Sequence, residues 1–138
     1  MGNVLELINN YFSFLDEFTR VYKEYCYNTS EYYAKQVRDY SQKNNDIIDE
    51  IHCAIDSLSQ EEIIDLQNSI LSIIYALKDE KNIINIEIKR FDLEKTNNQE
   101  YNYYCDKISD IDHKIYCYIR IVIDYIKQKD YKIGLLYK

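Results

Sequence analysis

In the first segment of the chain, Val4, Ile8, Tyr11, Leu15, Phe18, Tyr22 and Tyr25 follow one another at intervals of 4, 3, 4, 3, 4 and 3 residues. An α-helix turns once every 3.6 residues, so this rhythm keeps all seven side chains on one stripe. Phe12, Phe14 and Val21 widen the stripe to the breadth a core-facing helix needs. A strand alternates faces at every residue and would scatter the same set over both sides. Nothing in the sequence interrupts such stripes, because the chain has no proline and only two glycines, Gly2 and Gly134. About 7 prolines and 10 glycines would be usual at this length. Their scarcity excludes a turn-rich all-β fold, a collagen-like chain and a Gly-rich phosphate loop.

The rhythm returns three times. Tyr33, Val37, Tyr40, Asn44, Ile47, Ile51, Ala54 and Leu58 form a second stripe, with Asn44 its one polar member. The polar run Gln42–Asp46 keeps the phase, so one long helix is expected across it, and a polar residue in such a seam can fix register. Asn28, with Glu31 three residues on, is the expected cap of this helix. Ser59 and Glu62 have the spacing of a capping box, and Leu58 and Ile63 that of a hydrophobic staple. Ile63, Leu66, Ile70, Ile73 and Leu77 then make the third stripe.

Between Asn82 and Glu94 the signal is mixed, since Ile84, Ile86 and Ile88 alternate like a strand while Ile84, Ile88 and Phe91 fit a helix. With no second alternating run to pair with, helix is expected, kinked near Glu80–Asn82. Thr96–Gln99 reads as a polar loop and Asn97 with Glu100 as a cap. Tyr101, Tyr104, Ile108, Ile111, Ile115, Tyr118, Val122 and Tyr125 form the last stripe, with Gly134 as its expected stop. The 138 residues are expected to form a single all-α domain. Its expected architecture is an antiparallel, up-down-up-down four-helix bundle of long, coiled-coil-like helices.

The formal net charge is −7, from 24 acidic and 17 basic residues. Nucleic acid is recognised through a basic patch, whereas the basic stretches here, Lys89-Arg90 and Lys127 to Lys132, have acids close by. No direct nucleic-acid binding is expected, and a basic protein partner is favoured. Met1 to Leu7 lacks a basic region followed by an apolar run, and Glu6 stands where a myristoylation signal wants Ser or Thr. Apolar runs such as Ile73 to Leu77 are far too short for a membrane span. The expectation is a soluble, cytoplasmic protein, with Cys26, Cys53, Cys105 and Cys117 as reduced thiols.

Asp49 precedes His52, and Asp110 precedes His113, by three residues, which is the spacing of a di-iron bundle motif. The helical phase sends both pairs outward, and the acids are the shorter Asp. His113 and Cys117, with His52 and Cys53, suggest zinc, but adjacent residues diverge by about 100° on a helix, and His113 and Cys117 fall on the outer face. A Cys-His nucleophile needs an oxyanion hole, for which a bundle offers few free amides. No catalytic residue, metal or cofactor is therefore expected.

The 16 tyrosines are in part a compositional effect, since Ile, Asn, Lys and Tyr are enriched together in AT-rich genes. Position separates them. Tyr11, Tyr22, Tyr33, Tyr40, Tyr104 and Tyr118 sit on the packing stripes, while Tyr27, Tyr32 and Tyr103 lie off them and are candidates for a protein-binding surface. In size and composition the chain resembles small helical host-modulating proteins of poxviruses, some with Bcl-2-like folds. No motif accompanies that likeness, and four regular helices fit a plain bundle better. The expected function is a non-enzymatic, acidic interaction protein that binds and inhibits or regulates a protein partner, in the manner of antitoxins, immunity proteins or virus- or phage-encoded inhibitors. The alternatives are a self-assembling structural protein, for which a homo-oligomer such as a homodimer is implied, and a metal-dependent bundle enzyme using His52 and His113.

Overall fold

The computed structural model describes residues 2–129, and every regular element among them is helical. The protein is all-α. Helix α1 spans Gly2–Tyr27, α2 Glu31–Asp56, α3 Gln60–Arg90, α4 the single turn Leu93–Thr96 and α5 Asn98–Tyr118. A π-helical turn, Ile119–Ile123, follows, and α-helix resumes to residue 129. The expected stop at Gly134 lies outside the described residues. The chain divides into two compact units, Met1–Ile63 and Ile64–Lys138, so that the boundary falls in the first turn of α3.

In the first unit α2 runs back along α1 after a three-residue link. Tyr11 meets Asn44, and Phe14, Glu17 and Phe18 meet Tyr40, so later residues of α1 face earlier residues of α2. The seam is aromatic: Phe14 stacks on Tyr40 with ring centroids 5.6 Å apart and planes 14° apart, and Phe18 completes the cluster at 5.9 Å. Such ring pairs are worth about 0.5–1.5 kcal/mol beyond their burial. Asn44 accepts a 2.8 Å hydrogen bond from the Tyr11 hydroxyl, which accounts for a polar residue on this stripe. α2 runs unbroken through Gln42–Asp46 and buries Ile51 and Ile55 completely.

The stripe of α1 differs from its sequence reading. Val4, Ile8, Tyr11, Phe14 and Val21 are buried, Leu15 is half-buried, and Tyr22, expected in the packing stripe, is exposed. The seam takes positions 14 and 21, one residue before 15 and 22. A straight helix drifts about 20° per heptad against a strict seven-residue repeat, so one of two neighbouring apolar positions must win. The start of α2 is also displaced. Its cap is Ser30, whose hydroxyl accepts from the Tyr33 N–H, whereas the Asn28 N–H is still bonded to the Glu24 carbonyl at the end of α1.

The second unit begins within α3. The Ser59–Glu62 box is reciprocal, each backbone N–H donating to the other's side chain at 3.2 Å. The carboxyl of Glu62 is held below its usual range first by the Ser59 backbone N–H and then by the Ser59 hydroxyl. α3 continues as helix through Glu80–Asn82, burying Leu66, Ile70, Ile74 and Ile84, while Ile73 and Leu77 are half-buried. The helix breaks at Phe91-Asp92, where Asp92 adopts the left-handed conformation (φ 47°, ψ 49°). Asp is one of the few non-glycine residues that tolerates this region. Asn97 then caps α5 by accepting from the Glu100 N–H at 3.1 Å and donating to its carboxylate at 3.2 Å. Lys81 of α3 pairs with Asp112 of α5 at 2.8 Å.

Candidate functional site

The expected surface tyrosines fall at the end of α1, at the start of α2 and in the second turn of α5. Tyr27 ends α1 and is 92% exposed; Tyr32, in the first turn of α2, is 66% exposed. Both belong to the tip of the α1–α2 hairpin. The three-residue link there leaves their backbones in regular helix, so the rings are held by a fixed scaffold and not by a loop. Tyr32 meets Tyr33 edge-on at 5.3 Å, and Gln36 donates to its hydroxyl at 3.0 Å. Tyr22, 52% exposed and 6.5 Å from Tyr25, adds a third exposed ring to this helix pair. Its displacement from the seam makes it a surface residue that the helical phase alone assigned to packing. Around the rings, Glu31 pairs with Arg38 at 2.9 Å and Arg20 with Glu24 at 3.1 Å. These exposed pairs contribute little to stability.

Tyr103 lies elsewhere, on α5 in the second unit, 56% exposed. Tyr104 packs against it at 5.7 Å, and the Lys107 ammonium stands 5.3 Å above its ring. Next to it Glu87, Phe91, Leu93, Thr96, Asn97 and Glu100 line an open cleft of about 460 Å³. Ligand pockets enclose most of a ligand within apolar walls. This cleft is open, and carboxylates stand among its walls.

The other sequence candidates sort as follows. Asp49, Asp110 and His113 are exposed, and His52 is half-buried. Among the described residues no three His, Cys, Asp or Glu side chains come together as a metal would require. Cys117 corrects its sequence reading. It is buried, not on the outer face, and its sulfur lies 3.7 Å from His113 Nε2. Burial raises the thiol's pKa, which keeps it protonated, the opposite of what an activated nucleophile needs. A π turn follows, in which the Asp124 N–H bonds to the Ile119 carbonyl five residues back. Cys117, Tyr118, Ile121, Val122, Ile123 and Ile126 are all buried, so this stretch is covered on several faces and not on one stripe.

Among the described residues no helix is long and apolar enough to cross a membrane, and no buried side-chain polar atom lacks a hydrogen-bond partner. No family model, curated protein or solved structure matches the chain.

Proposed function

We propose that this is a non-enzymatic interaction protein, soluble and cytoplasmic, that binds and inhibits or regulates a protein partner. In this proposal its long helices close as an antiparallel four-helix bundle. The observation that carries the reading is the pair of exposed rings, Tyr27 and Tyr32, held on regular helix at one hairpin tip. Tyrosine is enriched at protein interfaces because its ring buries a large area with little loss of rotamer freedom while its hydroxyl finds a partner. The net charge of −7 favours a basic partner and disfavours nucleic acid. Tyr103 is a second, separate contact candidate.

The test is affinity capture from the native cell with the full chain and with a Tyr27→Ala/Tyr32→Ala variant. A basic protein recovered in near-stoichiometric yield by the native chain, and lost with the variant, supports the reading. Recovery of no specific protein, or equal recovery by both chains, overturns it.

A further inference from the structure

Helix α3 carries apolar residues on two faces. One face buries Ile63, Leu66, Ile70, Ile74 and Ile84. The other presents Ile64, Leu71, Tyr75 and Ile86, which are 48%, 40%, 63% and 61% exposed. At 100° per residue these four fall within about 60° of arc, a single line roughly 33 Å long. Asn68, Asp79 and Asn82 lie on the same arc, so this is a mixed apolar and polar line. Exposed apolar side chains aligned on one helix face are suited to being covered.

Several positions of α3 match across Tyr75, although Leu71, four residues before it, is answered by Asp79, four after. Ile64 and Ile86 stand eleven residues to either side of Tyr75, Asn68 and Asn82 seven, and Glu61 and Lys89 fourteen. The charges of the helix are unequally shared. Glu61, Glu62 and Asp65 occupy its start, where no basic residue precedes Lys78, and Lys89 and Arg90 close it. A parallel copy would set Glu61 against Glu61 and Lys89 against Lys89. An antiparallel copy, turned about a two-fold axis at Tyr75, sets Ile64 against Ile86, Asn68 against Asn82 and Glu61 against Lys89. Ring meets ring at the axis. A two-fold interface requires this self-complementarity of its surface, and facing asparagines in a helical seam fix its register.

We infer that the outer face of α3 is the seam of an antiparallel homodimer of this chain. The seam is narrow compared with the roughly 800 Å² per partner of a standard interface, so association in the micromolar range is expected. This face shares no residue with the Tyr27–Tyr32 tip, and either proposal can fail without the other.

Sedimentation equilibrium of the full chain over a wide concentration range tests it, with circular dichroism to verify that each variant keeps its helices. The native chain is expected to show a monomer–dimer equilibrium. Tyr75→Glu is expected to weaken it by about 30-fold, as loss of a central interface residue does. Glu61→Lys and Lys89→Glu each weaken it, and the double variant restores it, because only antiparallel copies exchange these charges. A monomer at every concentration overturns the inference. So does a dimer indifferent to Tyr75→Glu, or a double charge reversal no stronger than the single changes.

Discussion

Neighbouring residues on α1 give a prediction that runs against side-chain size. Val21 is 3% exposed and Tyr22 is 52% exposed. Val21→Ala removes two buried methyl groups. At about 0.8 kcal/mol for each, with a further allowance for the cavity left behind, the cost is about 2 kcal/mol. Tyr22→Ala removes a far larger side chain, but from a surface position whose nearest ring, Tyr25, is 6.5 Å away. Surface substitutions mostly stay within about 0.5 kcal/mol, and a weak ring pair adds about as much again, so the cost stays below about 1 kcal/mol. Urea unfolding of both variants, followed by circular dichroism with the slopes compared, measures the difference. The same order is expected one heptad earlier, where Phe14→Ala costs about 3–5 kcal/mol and outweighs Leu15→Ala. If Tyr22→Ala proves costlier than Val21→Ala, the seam follows positions 15 and 22, and the packing described for α1 is wrong.

Further outcomes follow from local geometry. Ser59→Ala is expected to cost about 1 kcal/mol in thermal or urea unfolding by removing the cap of α3. Because the Glu62 carboxyl is held below its ordinary range, its contribution is present above the unfolded carboxylate pKa and is lost as pH falls through the lowered one; native stability at acid pH should therefore decline more steeply than that of Glu62→Gln. Asp92→Gly is expected to raise stability by up to about 1 kcal/mol and Asp92→Val to lower it, since only glycine enters the left-handed region without steric cost. Toward a thiol reagent on the native protein, exposed Cys26 and Cys53 should react at least about tenfold faster than Cys117, which is buried and held protonated. Equal rates would place Cys117 at the surface.

The sequence read best where hydrogen bonds are local. Ser59 with Glu62 and Asn97 with Glu100 were legible because a capping pair needs only three residues of chain. Asn44 was recognisable as the polar member of its stripe, although its partner Tyr11 is 33 residues away and only the folded hairpin supplies it. The spacing of Asn28 and Glu31 points to Asn28 as the cap, yet all three residues of the link, Asn28, Thr29 and Ser30, are able to cap a helix. The extent of α1 decides among them, and that extent is set by packing. The break at Asp92 had only a weak marker, a residue that tolerates left-handed backbone. The burial of Cys117 was not legible because the stretch from Cys117 to Ile126 is covered on several faces, and a reading of one stripe assigns the other faces to solvent. Of the candidate surface, Tyr27, Tyr32 and Tyr103 were legible from phase. Tyr22 and the outer line of α3 were not, since an apolar residue at helical spacing is assigned to the core until the structure shows it outside.

In the proposed function, exposed Tyr27 and Tyr32 at one hairpin tip bind a protein. Titration calorimetry of the captured partner against the native chain and the Tyr27→Ala/Tyr32→Ala variant tests it most directly. Binding is expected to weaken with added salt, as between an acidic protein and a basic one, and to fall by about 30-fold or more in the variant. Equal affinities for the two chains would contradict it.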